Sequence, residues 1–229
     1  MLKKILIFSA LGLLGFASMQ IPFSYVIGGQ NQHFSLFDFM APSFGGFVGS
    51  IWGALAVIAV KFFNVLAHGA TFDTTTIIRL FPLAAGALYF GLKKYKAVAA
   101  VIPLVSMVFF IMHPEGRQAW YYSLYWLIPV AAVFAKKSLV LNSLGATFTA
   151  HAVGGVAFLY AFNLPAEVWI ALIPVVFVER MLFTAGVALI SLSTNTALAW
   201  LARVRGMQFV SPLVRAEYVA SREFLRRNL

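Results

Sequence analysis

Charged residues punctuate this chain at wide intervals, and between them run stretches of Leu, Ala, Val, Ile, Gly and Phe long enough to cross a bilayer. One such stretch follows Lys3-Lys4 and continues from Ile5 to Ile27; another runs from Phe39 to Val60 and meets its first charge at Lys61. At about 20 residues per crossing, the second stretch has the length of a single helix. Its composition argues against one. Pro42, Gly45, Gly46, Gly49 and Gly53 lie within it, and each Gly lowers helix propensity by roughly 1 kcal/mol. Two short helices meeting at a bend near Gly49-Ser50 are therefore predicted. Ala41, Gly45, Gly49 and Gly53 also recur at every fourth position, the spacing that lets membrane helices approach backbone to backbone. A packing seam is thus a second reading of the same residues, and the two are compatible.

Charge placement selects between a straight crossing and a hairpin. If 37–60 crossed once, the following helix, about 75–92, would deliver Lys93, Lys94 and Lys96 to the outside, against the excess of Lys and Arg in cytoplasmic loops. A turn at Gly49-Ser50 returns them inside. The remaining apolar segments then count off as about 97–112, 119–135, 139–162 and 168–201, the last with a possible break around 191–196. Lys136-Lys137, Arg203 and Arg205 fall inside, only Arg117 falls in an outer loop, and both termini are cytoplasmic. A cleaved signal peptide is the rival reading of the first segment, because Lys3, Lys4 and Ala17-Ser18 imitate one. Apolar character persists to Val26, too far for a short signal core.

Composition narrows the class. Hydrophobic residues make up 62% of the 229, charged residues 10%, and mean hydropathy is +0.89, which excludes a water-soluble surface. The apolar runs are continuous rather than alternating, which excludes a strand-built barrel. The expected fold is all-α, a polytopic integral membrane helical bundle of about six to eight transmembrane segments in the cell membrane. Residues 1–202 form the helical domain and 203–229 a basic amphipathic cytoplasmic tail. Net charge +10 is accounted for by topology and by anionic lipid at the tail, so nucleic acid is not an expected partner; a docking surface for a cytoplasmic protein is the other reading of the tail. With no cysteine in the chain, disulfides, thiolate catalysis and Cys-ligated metals are excluded.

Ionisable groups inside spanning segments are costly and therefore mark candidate sites. Lys61, with Asn64 and His68 on the same helical side, is one such group; Arg79 beside Asp73 is another. Glu179-Arg180 and His151 complete the set. Each has a structural alternative. Lys61 and Arg79 can snorkel, adjacent Glu179 and Arg180 point about 100° apart on a helix and each would pair with another helix, and His151 can be a hydrogen-bonded core residue. Trp120, Tyr121, Tyr122, Tyr125 and Trp126 form an aromatic cluster, read either as an interfacial belt or as stacking walls for a ring. No HExxH, GxSxG or Walker A pattern occurs, so no enzyme is expected, and active transport would require a separate ATPase.

The order Phe37-Asp38-Phe39, Ala41-Pro42, Gly45-Gly46, Gly49, Gly53-Ala54, Lys61-Phe62-Phe63-Asn64, then Leu80-Phe81-Pro82-Leu83-Ala84-Ala85-Gly86 and Lys93-Lys94 resembles the substrate-binding S components of energy-coupling factor (ECF) transporters, nearest to riboflavin-type members. The likeness covers about residues 20–96, with an echo from Ile173-Pro174 to Ile190. It implies an outward-facing small-molecule binder driven by a transmembrane coupling subunit and cytoplasmic ATPases. The chain departs from that family in lacking a clean Ala-xxx-Ala seam in its first helix and in its count of eight segments against the family's usual six.

The resulting expectation is a substrate-capture subunit for uptake of a vitamin or similar micronutrient, with no cofactor of its own. Asp38, Lys61, Asn64, Arg79, Tyr121, Tyr125, Trp126, Glu179 and Arg180 are its candidate substrate-binding residues. The alternative is an accessory or scaffold subunit of a larger membrane assembly without a ligand, and a third reading is an intramembrane enzyme using His151 and Glu179.

Overall fold

The computed structural model describes residues 2–25, 33–92, 96–134 and 138–220. Helices dominate, and the described strands are a single antiparallel pair. Helix α1 (Leu2–Met19) leads to β1 (Pro22–Tyr25) and β2 (His33–Ser35), then α2 (Leu36–Val48), α3 (Ser50–Ala67), α4 (Thr74–Ile78) and α5 (Phe81–Gly91). After these come α6 (Lys96–Met112), α7 (Pro114–Gln118), a 3-10 helix (Trp120–Trp126), α8 (Leu127–Phe134), α9 (Leu139–Phe162) and α10 (Ala166–Leu201). Two short 3-10 turns, Gln208–Leu213 and Ala216–Tyr218, follow.

Three helices, α3, α9 and α10, are long and apolar enough to cross a membrane. Their surroundings are inverted relative to a water-soluble bundle. Leu13, Ile51, Trp52, Phe134, Leu182, Leu189 and Trp200 are exposed, whereas Ser43, Ser143, Thr147, Thr149, Ser191 and Asn195 are buried. Large apolar side chains facing outward are what a hydrocarbon solvent selects, since the polar groups then find partners only inside.

The predicted bend is present. Gly49 separates α2 from α3 with φ +94°, a conformation that side chains disfavour, and the chain doubles back on itself there. Gly53, eight positions after Gly45, lies so close to it that a Cβ on Gly53 would collide with the Gly45 backbone and the Phe44 carbonyl carbon. A straight helix would hold those residues about 12 Å apart at 1.5 Å per residue. The seam reading holds as well. A Cβ on Gly45 would fall on the Ala87 carbonyl, and one on Gly91 would lie 2.6 Å from both the Gly45 carbonyl oxygen and the Ser50 Cα. Backbones of α2, α3 and α5 therefore meet at one junction.

Several expected boundaries shift for local reasons. The first helix stops at Met19 rather than near residue 27, because Pro22 lies ahead and residues 22–25 pair with 33–35 instead. The helix expected over 75–92 is two: Asp73 caps α4 by accepting from the Thr76 N–H at 2.7 Å, and Pro82, in the first turn of α5, cannot donate to a carbonyl of the preceding turn. The segment 119–135 starts as a 3-10 helix and becomes α-helical only at Leu127.

No break occurs around 191–196. Helix α10 runs unbroken for 36 residues, about 54 Å at 1.5 Å per residue, well beyond a hydrocarbon core of about 30 Å. The hydroxyls of Thr184, Ser191 and Thr196 find partners without breaking the helix. Thr184 and Thr196 donate to the Arg180 and Leu192 carbonyls at 2.8 and 2.7 Å, and Ser191 hydrogen-bonds Ser43 of α2.

Of the basic amphipathic tail expected over 203–229, residues up to 220 are described. They fold back in 3-10 turns that bury Val210, Leu213 and Tyr218. Asn195 holds Arg215 at both backbone groups, donating Nδ2–H to its carbonyl at 2.7 Å and accepting its N–H at Oδ1 at 2.8 Å. The Arg215 guanidinium Nε–H donates to the Gly46 carbonyl. The expected tail residues Arg222, Glu223, Arg226 and Arg227 lie outside the described residues, as do Lys93, Lys94, Lys136 and Lys137.

Candidate functional site

The polar residues of the bundle gather in two groups. The first surrounds the C-terminal half of α3. Asn64 Oδ1 accepts from the side-chain amide of Gln20, just beyond α1, at 2.9 Å, and its backbone carbonyl lies 2.9 Å from His68 Nδ1. Lys61 is half-buried one turn earlier, within electrostatic reach of Asp38 and Arg79. Asp38 has a structural duty of its own, accepting the Ser35 N–H and Oγ–H at 2.7 and 2.8 Å. That is the reciprocal part of a capping box and starts α2. Arg79 is exposed at the end of α4, which places it at the rim. Nearby Asp73 is held below the usual carboxylate range by the Thr76 backbone N–H, the Thr76 side chain and the charge of Arg79.

The second group lies where α9, α10 and the 3-10 helix meet. The 3-10 helix places Tyr122 and Trp126 inward together, and both bond the same imidazole. Tyr122 Oη is 2.9 Å from His151 Nε2, and Trp126 Nε1–H donates to His151 Nδ1 at 3.2 Å. Phe110, Trp169 and Val176 complete the buried surround of these rings. Gly155 on α9 makes room for Trp126, whose ring would sit 3.2 Å from a Cβ there. Tyr125 stacks on Phe148 and donates its hydroxyl to the Ile173 carbonyl at 2.9 Å.

Arg180 lies on the face of α10 that carries Trp169 and Val176, since residues four and eleven positions apart align on a helix. It pairs with its neighbour: Arg180 Nη2 donates to Glu179 Oε2 at 2.6 Å. The expectation that each residue would pair with a different helix is thus corrected, because both side chains are long enough to fold back across the 100° between them. The guanidinium also lies 4.8 Å from the Phe183 ring centre and 5.5 Å from that of Phe34, within cation–π range. Its charge acts on both Tyr122 and His151.

Hydrogen-bonding capacity is left over here. Glu179 Oε1, Arg180 Nε and the hydroxyls of Ser143, Thr147 and Thr149 are buried without a partner among the described residues. Ser143, Thr147 and His151 are spaced by four and share one stripe of α9. Native proteins leave few such atoms; Thr149, two positions from Thr147 and from His151, faces away from that stripe.

Of the nine candidate residues, the structure brings Tyr125, Trp126, Glu179 and Arg180 into this second group. It holds Asp38, Lys61, Asn64 and Arg79 in the first. Tyr121 joins neither: it is exposed, with its ring edge-on to Trp120, because a 3-10 helix turns consecutive aromatics to different sides. No hydrogen bond or ion pair joins the two groups among the described residues. Phe34 and Phe39, which flank Asp38 in the chain, pack on Phe183 beside Arg180 and so link the two groups through apolar contacts. Phe34 and Phe183 were not legible as site residues, since only the β1–β2 pairing and the packing of α10 bring them over Arg180. Among the described residues no three His, Asp or Glu side chains converge as a metal site.

No family model matches the chain, and no solved structure matches it. The chain is 26% identical over 204 aligned residues to an uncharacterized protein of Methanocaldococcus jannaschii, an alignment covering 80% of this chain and 68% of that one.

Proposed function

We propose that this protein is a multi-pass cell-membrane subunit, with both termini cytoplasmic, that captures a vitamin or similar small micronutrient for uptake. Separate transmembrane coupling and ATPase subunits would energise it. The observation that supports this reading is the pair of unpartnered buried polar atoms at Glu179 and Arg180, beside aromatic rings inside a bundle whose outside is apolar. A small polar ligand would satisfy those atoms. Binding sites in helical bundles have this composition, mostly apolar walls with a few placed polar groups.

The experiment is retention. Purified protein in lipid nanodiscs is incubated with the small-molecule fraction of a cell extract, washed, and its bound content read by mass spectrometry. One retained compound is expected, and none with Arg180→Ala that remains monodisperse. A wild-type protein that retains nothing overturns the reading.

An accessory role without ligand is favoured by a different observation, an apolar groove of about 330 Å³ lined by Ile7, Phe8, Val48, Trp52 and Leu213. It lies beside the Gly49 turn and suits a partner's helix. In the capture reading the coupling subunit would seat there, so retention of a ligand by the isolated protein separates the two.

A further inference from the structure

The hydrogen bonds around His151 determine which atoms remain open. An indole N–H only donates, so His151 Nδ1, 3.2 Å from Trp126 Nε1, must be the acceptor and carries no proton. The neutral ring then holds its hydrogen on Nε2 and donates it to Tyr122 Oη at 2.9 Å. Tyr122 receives a hydrogen bond through its oxygen and keeps its own O–H free to donate. Within electrostatic reach of Tyr122, Arg180 Nε–H is an unpartnered donor and Glu179 Oε1 an unpartnered acceptor among the described residues.

Charge at this place is balanced. Glu179 and Arg180 neutralise each other across 2.6 Å, and their side chains are only 14% and 12% exposed, so water does little to screen a newcomer. An anion would satisfy the two donors but set a second negative charge against Glu179 Oε1. A cation would satisfy Oε1 but oppose Arg180 and meet two donors with no acceptor. An uncharged group carrying both kinds of hydrogen-bonding atom on one edge satisfies all three.

Resting on the capture reading above, we infer that the Tyr122–Glu179–Arg180 site binds an uncharged polar group, with acceptor and donor adjacent as in a primary amide, lactam or imide. It rejects carboxylates and ammonium or amidinium groups. The rings of Phe34 and Phe183, already engaged by the Arg180 guanidinium, hold the pair in place, so specificity comes from a fixed array rather than from a mobile side chain.

The test uses three near-isosteric probes, benzamide, benzoate and benzamidinium, with the full chain in lipid nanodiscs and ligand-detected saturation-transfer NMR, empty nanodiscs being subtracted. Benzamide is expected to bind about tenfold more tightly than either ion, a difference of about 1.4 kcal/mol. Glu179→Gln leaves Arg180 unmatched and shifts the preference to benzoate; Arg180→Gln leaves Glu179 unmatched and shifts it to benzamidinium. The inference is overturned if either ion equals or exceeds benzamide in the wild-type protein, or if benzamide shows no transfer. A preference unmoved in both folded variants overturns it as well. A protein that retains a metabolite yet fails with these probes loses only the assigned ligand class, whereas one that retains nothing loses the capture function itself.

Discussion

Two regions of this bundle solve the problem of packing without water in opposite ways. At the α2–α3–α5 junction, glycines bring backbone against backbone, and the polar groups in contact are carbonyls and amides already committed to their own helices. At the meeting of α9, α10 and the 3-10 helix, large side chains meet instead, and hydrogen-bonding atoms are left open. The first region is complete as it stands. The second is complete at Trp126 and His151, and incomplete at the Tyr122 O–H, Glu179 and Arg180. The difference separates a part of the molecule that holds shape from a part that is available for chemistry.

The strongest way to break the comparison is to add one methyl group to the glycine junction. In Gly45→Ala the new Cβ meets the Ala87 carbonyl, a backbone atom that cannot swing aside. Overpacking costs about 1–3 kcal/mol and occasionally more, and here the upper end or beyond is expected, read as a lowered unfolding temperature and loss of monodispersity in detergent. Gly12→Ala is the matched control, since nothing lies within 4 Å of a Cβ at Gly12. Equal stability of the two variants would mean that α2 and α5 do not touch as described.

His151→Leu probes the second region. Removing the imidazole deprives buried Trp126 N–H and Tyr122 of their shared partner, and an unsatisfied buried group costs about 1–3 kcal/mol. Lower stability is expected together with lost ligand retention, because the Tyr122 hydroxyl is no longer oriented. A variant as stable and as retentive as the wild-type protein would assign the imidazole no role in either.

The two regions also differ in how far they could be read from sequence. The glycine junction was legible because glycine and proline act locally: a glycine at position 49 permits the positive φ that the turn uses, and the four-residue spacing of Ala41, Gly45, Gly49 and Gly53 marks the face along which backbones can meet. The polar region was legible only by residue type. Glu179, Arg180, Tyr125 and Trp126 stood out as costly or unusual in an apolar run, but their grouping depends on which faces α9 and α10 present to each other. Helical spacing does not specify that. Lys61, Asn64 and Arg79 have the same sequence credentials, yet they settle against α1 and at the rim of α4. Tyr121 differs from Tyr122 by one position, and only the 3-10 geometry sends one outward and the other in. The tail is a related case: Val210, Leu213 and Tyr218 are spaced as if for a helix, but Asn195 offers Arg215 two backbone hydrogen bonds that a helix would not leave open.

That tail sharpens the comparison at intermediate cost, since Arg215 reaches the Gly46 carbonyl and so ties the glycine junction to α10. Asn195→Ala removes two hydrogen bonds of about 1 kcal/mol each. Limited proteolysis is expected to cut within residues 203–220 faster than in the wild-type protein while ligand retention persists. Unchanged cleavage would show that the segment is held by Val210, Leu213 and Tyr218 alone.

The smallest effect belongs to Asp73, a polar group outside both regions. Its carboxyl titrates below the unfolded value, first because the Thr76 N–H donates to it and then through the Thr76 side chain and the Arg79 charge. A depressed folded pKa means that the ionised form favours the folded state. The contribution is therefore present above the ordinary aspartate range near pH 4 and fades as pH falls through the lower folded value. Hydrogen exchange at the Thr76 amide should accelerate, after correction for intrinsic rates, as pH drops below about 4, and Asp73→Ala should show the fast rate at every pH. Because Asp73 is exposed, neither change should reach Gly45 or His151. Were acid or Asp73→Ala to loosen the glycine junction or abolish ligand retention, α4 would be coupled to one of the two regions, and the division between a packed part and an open part would have to include the rim.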